Sequence, residues 1–158
     1  LDYDGNAVLA REGDVQYILK QIIENADRYI MKAYTRTAIS YKIKKTHNTT
    51  HSFFVIGHED GTYQTLSFSA TSKWATSEGA WAINTDSDIS SYEDYLERGD
   101  KWHVEEIETG NGINTLGTIK NVMKKMESDI TYYYRAQVSK DDKTDNCNTA
   151  VLETLVEN

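Results

Sequence analysis

At 158 residues with 39% hydrophobic content, the chain is long enough to bury about two thirds of its unfolded surface as one ordinary domain, 1–158. A single cysteine excludes an internal disulfide framework and zinc sites built from several cysteines, and a net charge of -8 opposes nucleic acid and anionic lipid surfaces, which are bound by clustered Lys and Arg. No apolar run approaches a membrane span, and the start at Leu1 has neither a basic nor an apolar leader, so it reads as a mature form or the terminal domain of a longer protein.

Asp4-Gly5-Asn6 reads as a turn. Asp14 then caps a stretch whose apolar positions, Val15, Ile18, Leu19, Ile22, Ile23, Ala26, Tyr29, Ile30 and Ala33, predict one long amphipathic helix. Thr37 to Lys44 alternates Ile39, Tyr41 and Ile43 against polar residues, as a strand with one wet face does. Thr50 to Ala70 is the clearest hairpin. Asp60-Gly61 as a two-residue turn sets Val55 opposite Leu66, Phe53 opposite Phe68 and His51 opposite Ala70, so that His51 ends a core-facing row. Thr71 to Ser90 reads as a long loop carrying Trp74 and Trp81. A short helix follows from Ser91 to Arg98, then an edge strand from Lys101 to Glu108. Asn114 or Thr115 caps the next helix, with Leu116, Ile119, Val122, Met123 and Met126 on its inner face. Ile130 to Val138 is a tyrosine-rich strand.

The last element carries the chemistry. Asp145 and Asn146 are good N-cap residues, and Cys147, Ala150, Val151, Thr154 and Leu155 fall on one helical face, so Cys147 opens a helix and points inward. Unpaired N–H groups and the positive end of the helix dipole stabilise a thiolate there. The bland alternative is a small apolar residue at a helix start. A thiolate needs a proton partner, and the candidates are His47, His51, His58 and His103. His58 falls beside the turn on the opposite face, as a solvated surface residue, His47 in a polar loop and His103 on an edge strand. Only His51 ends a core-facing row that a thiol on a packed helix can reach. A metal site from His47, His51 and Cys147 has poor spacing for a rigid set, and no cofactor or metal is expected.

His51-Ser-Phe-Phe-Val-Ile-Gly57, Tyr132-Tyr-Tyr134 and Asn146-Cys147-Asn148-Thr149, in that order, resemble the circularly permuted papain-like hydrolases. These include the PPPDE-type desumoylating isopeptidases, the lecithin:retinol acyltransferase group and permuted NlpC-like cell-wall peptidases. The resemblance covers residues 50 to 70 and 130 to 158; Ala150 and Asp145 stand where that family often has a second His or an aromatic. It implies an α+β fold in which an antiparallel sheet packs against the Cys-bearing C-terminal helix and an N-terminal amphipathic helix. It further implies a Cys147–His51 dyad acting as a peptidase or amidase through a thioester, with the oxyanion held by the Cys147 N–H and by Asn146. Trp74 and Trp81 then line a substrate cleft or pack in the core. Thr49, Ser69 and Gln64 are the nearest candidates to orient the imidazole, and none is assigned.

The fragment-like start and terminal cysteine suit a secreted or delivered bacterial effector or toxin domain, with a protein or peptide substrate and an inhibitor or immunity protein as partners. A thioesterase or acyltransferase on the same fold is the nearest alternative. From a different class comes a noncatalytic protein-binding module in which Cys147 and His51 are structural residues.

Overall fold

Apolar residues at helical spacing form α1 (Glu12–Glu24) as expected, but the helix ends nine residues short of the end of its apolar stripe. The computed structural model of the protein describes residues 12–37, 50–70, 76–98, 104–107, 113–128, 130–133 and 144–158. At Asn25 the chain leaves the helix: its N–H reaches Ile22 O at 3.2 Å and its side-chain amide donates to Gln21 O at 3.0 Å. After a single 3-10 turn the remainder of the stripe becomes β1 (Tyr29–Thr37). Its inner face is Met31 and Ala33, while Ile30 lies exposed. Tyr29, Ile30 and Ala33 fit a helical spacing by coincidence, because a strand and a helix can place the same few apolar residues over so short a span.

β2 (Thr50–His58) and β3 (Tyr63–Ala70) form the expected hairpin, in a register shifted by one residue. Phe54, not Val55, faces Leu66, and Val55 faces Thr65. The cause lies in the turn. His58 N donates to Thr62 O at 2.8 Å and Gly61 N to His58 O at 2.9 Å, which closes a three-residue loop over Glu59, Asp60 and Gly61. Gly61 adopts φ 91°, the left-handed conformation that completes such a loop, whereas a two-residue turn would have paired Glu59 with Thr62. A shift of one residue moves every side chain to the other face.

β4 (Thr76–Ile83) pairs with β3 inside the stretch expected to be loop, and α2 (Asp86–Arg98) starts earlier than expected. β5 (Val104–Ile107) lies at the sheet edge against β1, as its alternation suggested. α3 (Thr115–Met126) is capped by Asn114, whose side chain accepts from Gly117 N at 2.9 Å. β6 (Thr131–Tyr133), β7 (Thr144–Asp145) and α4 (Cys147–Thr154) complete the chain. The seven strands run in the order β5-β1-β2-β3-β4-β6-β7. The sheet is mixed rather than wholly antiparallel, because β7 joins β6 in parallel. The turn expected at Asp4-Gly5-Asn6, most of the strand expected over 37–44 and the later part of the tyrosine-rich strand lie outside the described residues.

Helices cover both faces of this α+β fold. On one face α1, α3 and α4 pack with Phe54, Ile56, Leu66, Phe68, Trp81 and Ile83 in the principal core. On the other, Tyr92 and Tyr95 of α2 close over Tyr34, Phe53 and Val55. Each fully buried Phe or Ile in these clusters contributes roughly 1.5–3 kcal/mol. β4 fits against the principal core because residue 79 is glycine: a Cβ there would lie 2.1 Å from Phe68 Cζ. The Phe68 ring is itself held between Trp81 and Tyr132 and has little room to yield. Gly79→Ala is therefore expected to destabilise the domain by about 1–3 kcal/mol in urea titration. A neutral result would mean that the ring relocates freely.

Candidate functional site

The β2–β3 ladder supplies the opening in which the site forms. Its paired residues run from Gly57↔Tyr63 to Phe54↔Leu66 and stop there, although β2 continues to pair with β1 as far as Thr50 and β3 with β4 as far as Ala70. Beyond Phe54 the two central strands have parted. The Ser52 N–H, which a continued ladder would have turned toward β3, instead donates to the Cys147 sulfur. The sheet is split where the thiol enters it.

Cys147 is the first residue of α4 and 7% exposed. Its position follows from the cap. Asn146 Oδ1 accepts from Asn148 N and Thr149 N, both at 2.9 Å, and Asn146 N donates to Thr149 Oγ1 at 2.8 Å. Thr149 Oγ1 in turn donates to Asp145 Oδ1 at 2.8 Å, and Lys125 Nζ donates to Asp145 Oδ2 at 2.9 Å. The helix start is thereby tied to α3. Ala150, Val151 and Thr154 are buried beneath it, so the face read from the sequence is the face that packs.

His51 stands on the opposite face of β2 from Phe54, beside α2. Its ring stacks on Phe53 at 5.7 Å, and Phe53 stacks on Tyr34 at 5.8 Å. His51 Nε2 lies 2.5 Å from Asp88 Oδ1, and Ser67 Oγ donates to Asp88 Oδ2 at 2.5 Å. Asp88 is 1% exposed. A carboxylate only accepts, so Nε2 carries the hydrogen of this bond and Nδ1 faces the sulfur. The imidazole and the Cys147 thiol hydrogen-bond to each other through the split. Cys147, His51 and Asp88 thus form one connected row, contributed by the last helix, a central strand and a helix on the far side of the sheet.

Electrostatics favour the charged pair. Burial alone would push the His51 pKa down, but the hydrogen bonds to Asp88 and Cys147, and the charges of both, raise it to about 9. Burial would likewise push the Cys147 thiol up. The hydrogen bond and charge of His51, with the backbone N–H groups of Ser52 and Asn148, bring it below its ordinary value instead. Both shifts move the pair toward thiolate and imidazolium.

Asp88 is the residue that sequence reading missed. None of Thr49, Ser69 and Gln64 takes its place: Ser69 and Gln64 lie on β3, Gln64 lining a separate cavity near α1, and Thr49 is outside the described residues. A signal was present. Thr85-Asp86-Ser87-Asp88 has the spacing of a helix start, and Thr85 Oγ1 accepts from Asp88 N at 3.2 Å while Thr85 O accepts from Ile89 N at 3.0 Å. Beginning the helix at Asp86 rather than Ser91 puts Asp88 in its first turn, directed at the sheet.

The other candidates are placed as follows. Asn146 is a cap, its side-chain oxygen held by two N–H groups of its own helix. Trp81 is 5% exposed and packs edge-on against Phe68 in the principal core, beside a cavity of about 420 Å³ that Lys125 and Met126 also line. It packs in the core and also lines that cavity. Trp74, His47 and His103 lie outside the described residues. His58 is half-buried rather than solvated: its ring packs on Tyr29 at 4.8 Å, and Nδ1 is 2.9 Å from Asp60 Oδ1. Among the described residues no group of three or more His, Cys, Asp or Glu side chains is arranged to hold a metal ion, and no helix is long and apolar enough to cross a membrane. Compared with known proteins, the chain matches no family model, no curated protein and no solved structure.

Proposed function

We propose that this protein is a cysteine hydrolase that cleaves an amide, peptide or isopeptide bond by acyl transfer to Cys147. The observation that carries the reading is the row Cys147–His51–Asp88, with the thiol at a helix N-terminus and the imidazole fixed by a buried carboxylate. A protein that used these residues only for packing would have no need to bury an aspartate against a histidine. The order of His before Cys, and the Asn-Cys-Asn-Thr start of α4, fit a permuted papain-like arrangement of the fold, and we take that as its architecture.

In this mechanism the Cys147 thiolate adds to the acyl carbon and forms a C–S bond. The tetrahedral adduct collapses, the C–N bond breaks, and the His51 imidazolium gives its proton to the departing amine. Neutral His51 then takes a proton from water, and the resulting hydroxide attacks the thioester carbon. Release of the acid restores thiolate and imidazolium. Asp88 holds Nε2–H throughout, keeping Nδ1 toward the sulfur.

The pH dependence follows from the two shifts. His51, raised to about 9, contributes stability that is fully present below the ordinary histidine value of 6.5 and lost as pH rises through 9. Cys147, lowered, contributes stability present above the ordinary thiol value and lost as pH falls through its folded one. The two contributions change in opposite directions as pH rises: the His51 part falls and the Cys147 part grows. Iodoacetamide reads the nucleophile directly. An ordinary thiol is only about 0.3% ionised at pH 6, and the lowered pKa of Cys147 is expected to keep its alkylation at pH 6 well above that of an ordinary thiol. A rate at pH 6 no higher than that of an ordinary thiol, or one that requires unfolding, would instead favour the binding module.

A further inference from the structure

The geometry points to Asn148 as a catalytic residue that donates to the oxyanion through its carboxamide, positioned by a Ser52–Thr35 hydroxyl pair. The inference rests on the cysteine-hydrolase reading and deepens it. Ser52 occupies the parted end of β2 and makes two contacts with α4. Its N–H donates to the Cys147 sulfur, and its hydroxyl, 3% exposed as a residue, donates to Asn148 Oδ1. Thr35 Oγ1, on the neighbouring strand β1, lies 2.8 Å from Ser52 Oγ and supplies the hydroxyl with a second partner. One small residue therefore holds both the nucleophile and the carboxamide of the residue that follows it.

That juxtaposition fits the chemistry. When the thiolate adds to an acyl carbon, the carbonyl π electrons move to oxygen, and the adduct is stabilised by donors preorganised where that charge appears. Held by its oxygen, the Asn148 carboxamide has its nitrogen end, the end that carries N–H donors, turned away from the Ser52 hydroxyl. The acyl group is held on the adjacent residue. Asn146, the donor expected from the sequence, differs: its oxygen is held by the helix cap, which ties that end of its carboxamide to the helix axis. Asn148 is not the cap of α4, and its oxygen is held from another element by the Ser52 hydroxyl.

Two reactions of the same sulfur separate this role from support of the thiolate. Alkylation by iodoacetamide displaces iodide at a saturated carbon and creates no oxyanion, whereas acylation by p-nitrophenyl acetate does. In the intact protein, Asn148→Ala is expected to slow acylation by about 10²–10³-fold while alkylation changes less than about threefold. Ser52→Ala, which leaves Asn148 present but unanchored, is expected to slow acylation about tenfold with the same insensitivity of alkylation. Asn148→Asp retains the oxygen that Ser52 holds and removes both donors. It should reproduce the acylation loss relative to alkylation even if the alanine variant folds poorly. Acylation within threefold of the parent in Asn148→Asp, or equal losses in both reactions, overturns the assignment to Asn148 alone. Failure of the unaltered protein to be acylated overturns the hydrolase reading, and this assignment with it.

Discussion

Replacing Cys147 with alanine is expected to reduce amide or ester hydrolysis by at least ~10⁴-fold while leaving the domain folded. The loss is large because no described neighbour can substitute for the sulfur: Cys147 is the chain's only cysteine, and His51 is directed at it. Stability is expected to change by no more than about 1–2 kcal/mol, because a buried Cys and an Ala differ by one small group and Ala150, Val151 and Thr154 still hold α4 to the core. The cap also survives, since Asn146, Thr149 and Asp145 form it without the sulfur. Turnover of a p-nitrophenyl ester and a urea titration of the same preparation check both halves. Retained turnover removes Cys147 from the chemistry, and a collapsed transition shows that packing was its principal role.

Asp88 carries the second large effect. In Asp88→Asn the amide can donate to Nε2, which turns the His51 hydrogen to Nδ1 and presents a donor, not a base, to the sulfur. The expected cost in kcat is on the order of 10²–10⁴, with alkylation at pH 6 falling as the imidazolium loses its stabilising charge. Asp88→Ala should cost stability as well. It strands the Ser67 hydroxyl and the His51 Nε2–H, both now within hydrogen-bond distance of a carboxylate oxygen, at roughly 1–3 kcal/mol for each unsatisfied group. The pair of variants separates positioning from packing: the Asn form should fold like the parent and fail in rate, with its pH 6 alkylation depressed. If alkylation of both variants at pH 6 matches that of the parent, the thiolate owes nothing to Asp88, and the row is only two residues long.

Local chemistry was legible where a single element decides the outcome. Asn146 before Cys147, and apolar residues at three-and-four spacing after it, placed the thiol at a helix start because capping and amphipathicity act within a few residues. Asn114 as a cap and Val104–Ile107 as an edge strand follow for the same reason. His51 was legible as the histidine that meets Cys147, although the route to it was misread. A turn one residue longer, with Gly61 at positive φ, put His51 on the face of α2 rather than on the face of α4.

What only the tertiary structure decided is how groups on opposite faces of a sheet come to touch. The answer is a ladder that stops at Phe54, so that a sulfur from one side meets an imidazole from the other and an aspartate comes from a helix more than thirty positions along the chain. Strand separation is the outcome of packing α4 on one face and α2 on the other. The energies that set it are summed over the entire core, and no local stretch of residues records them.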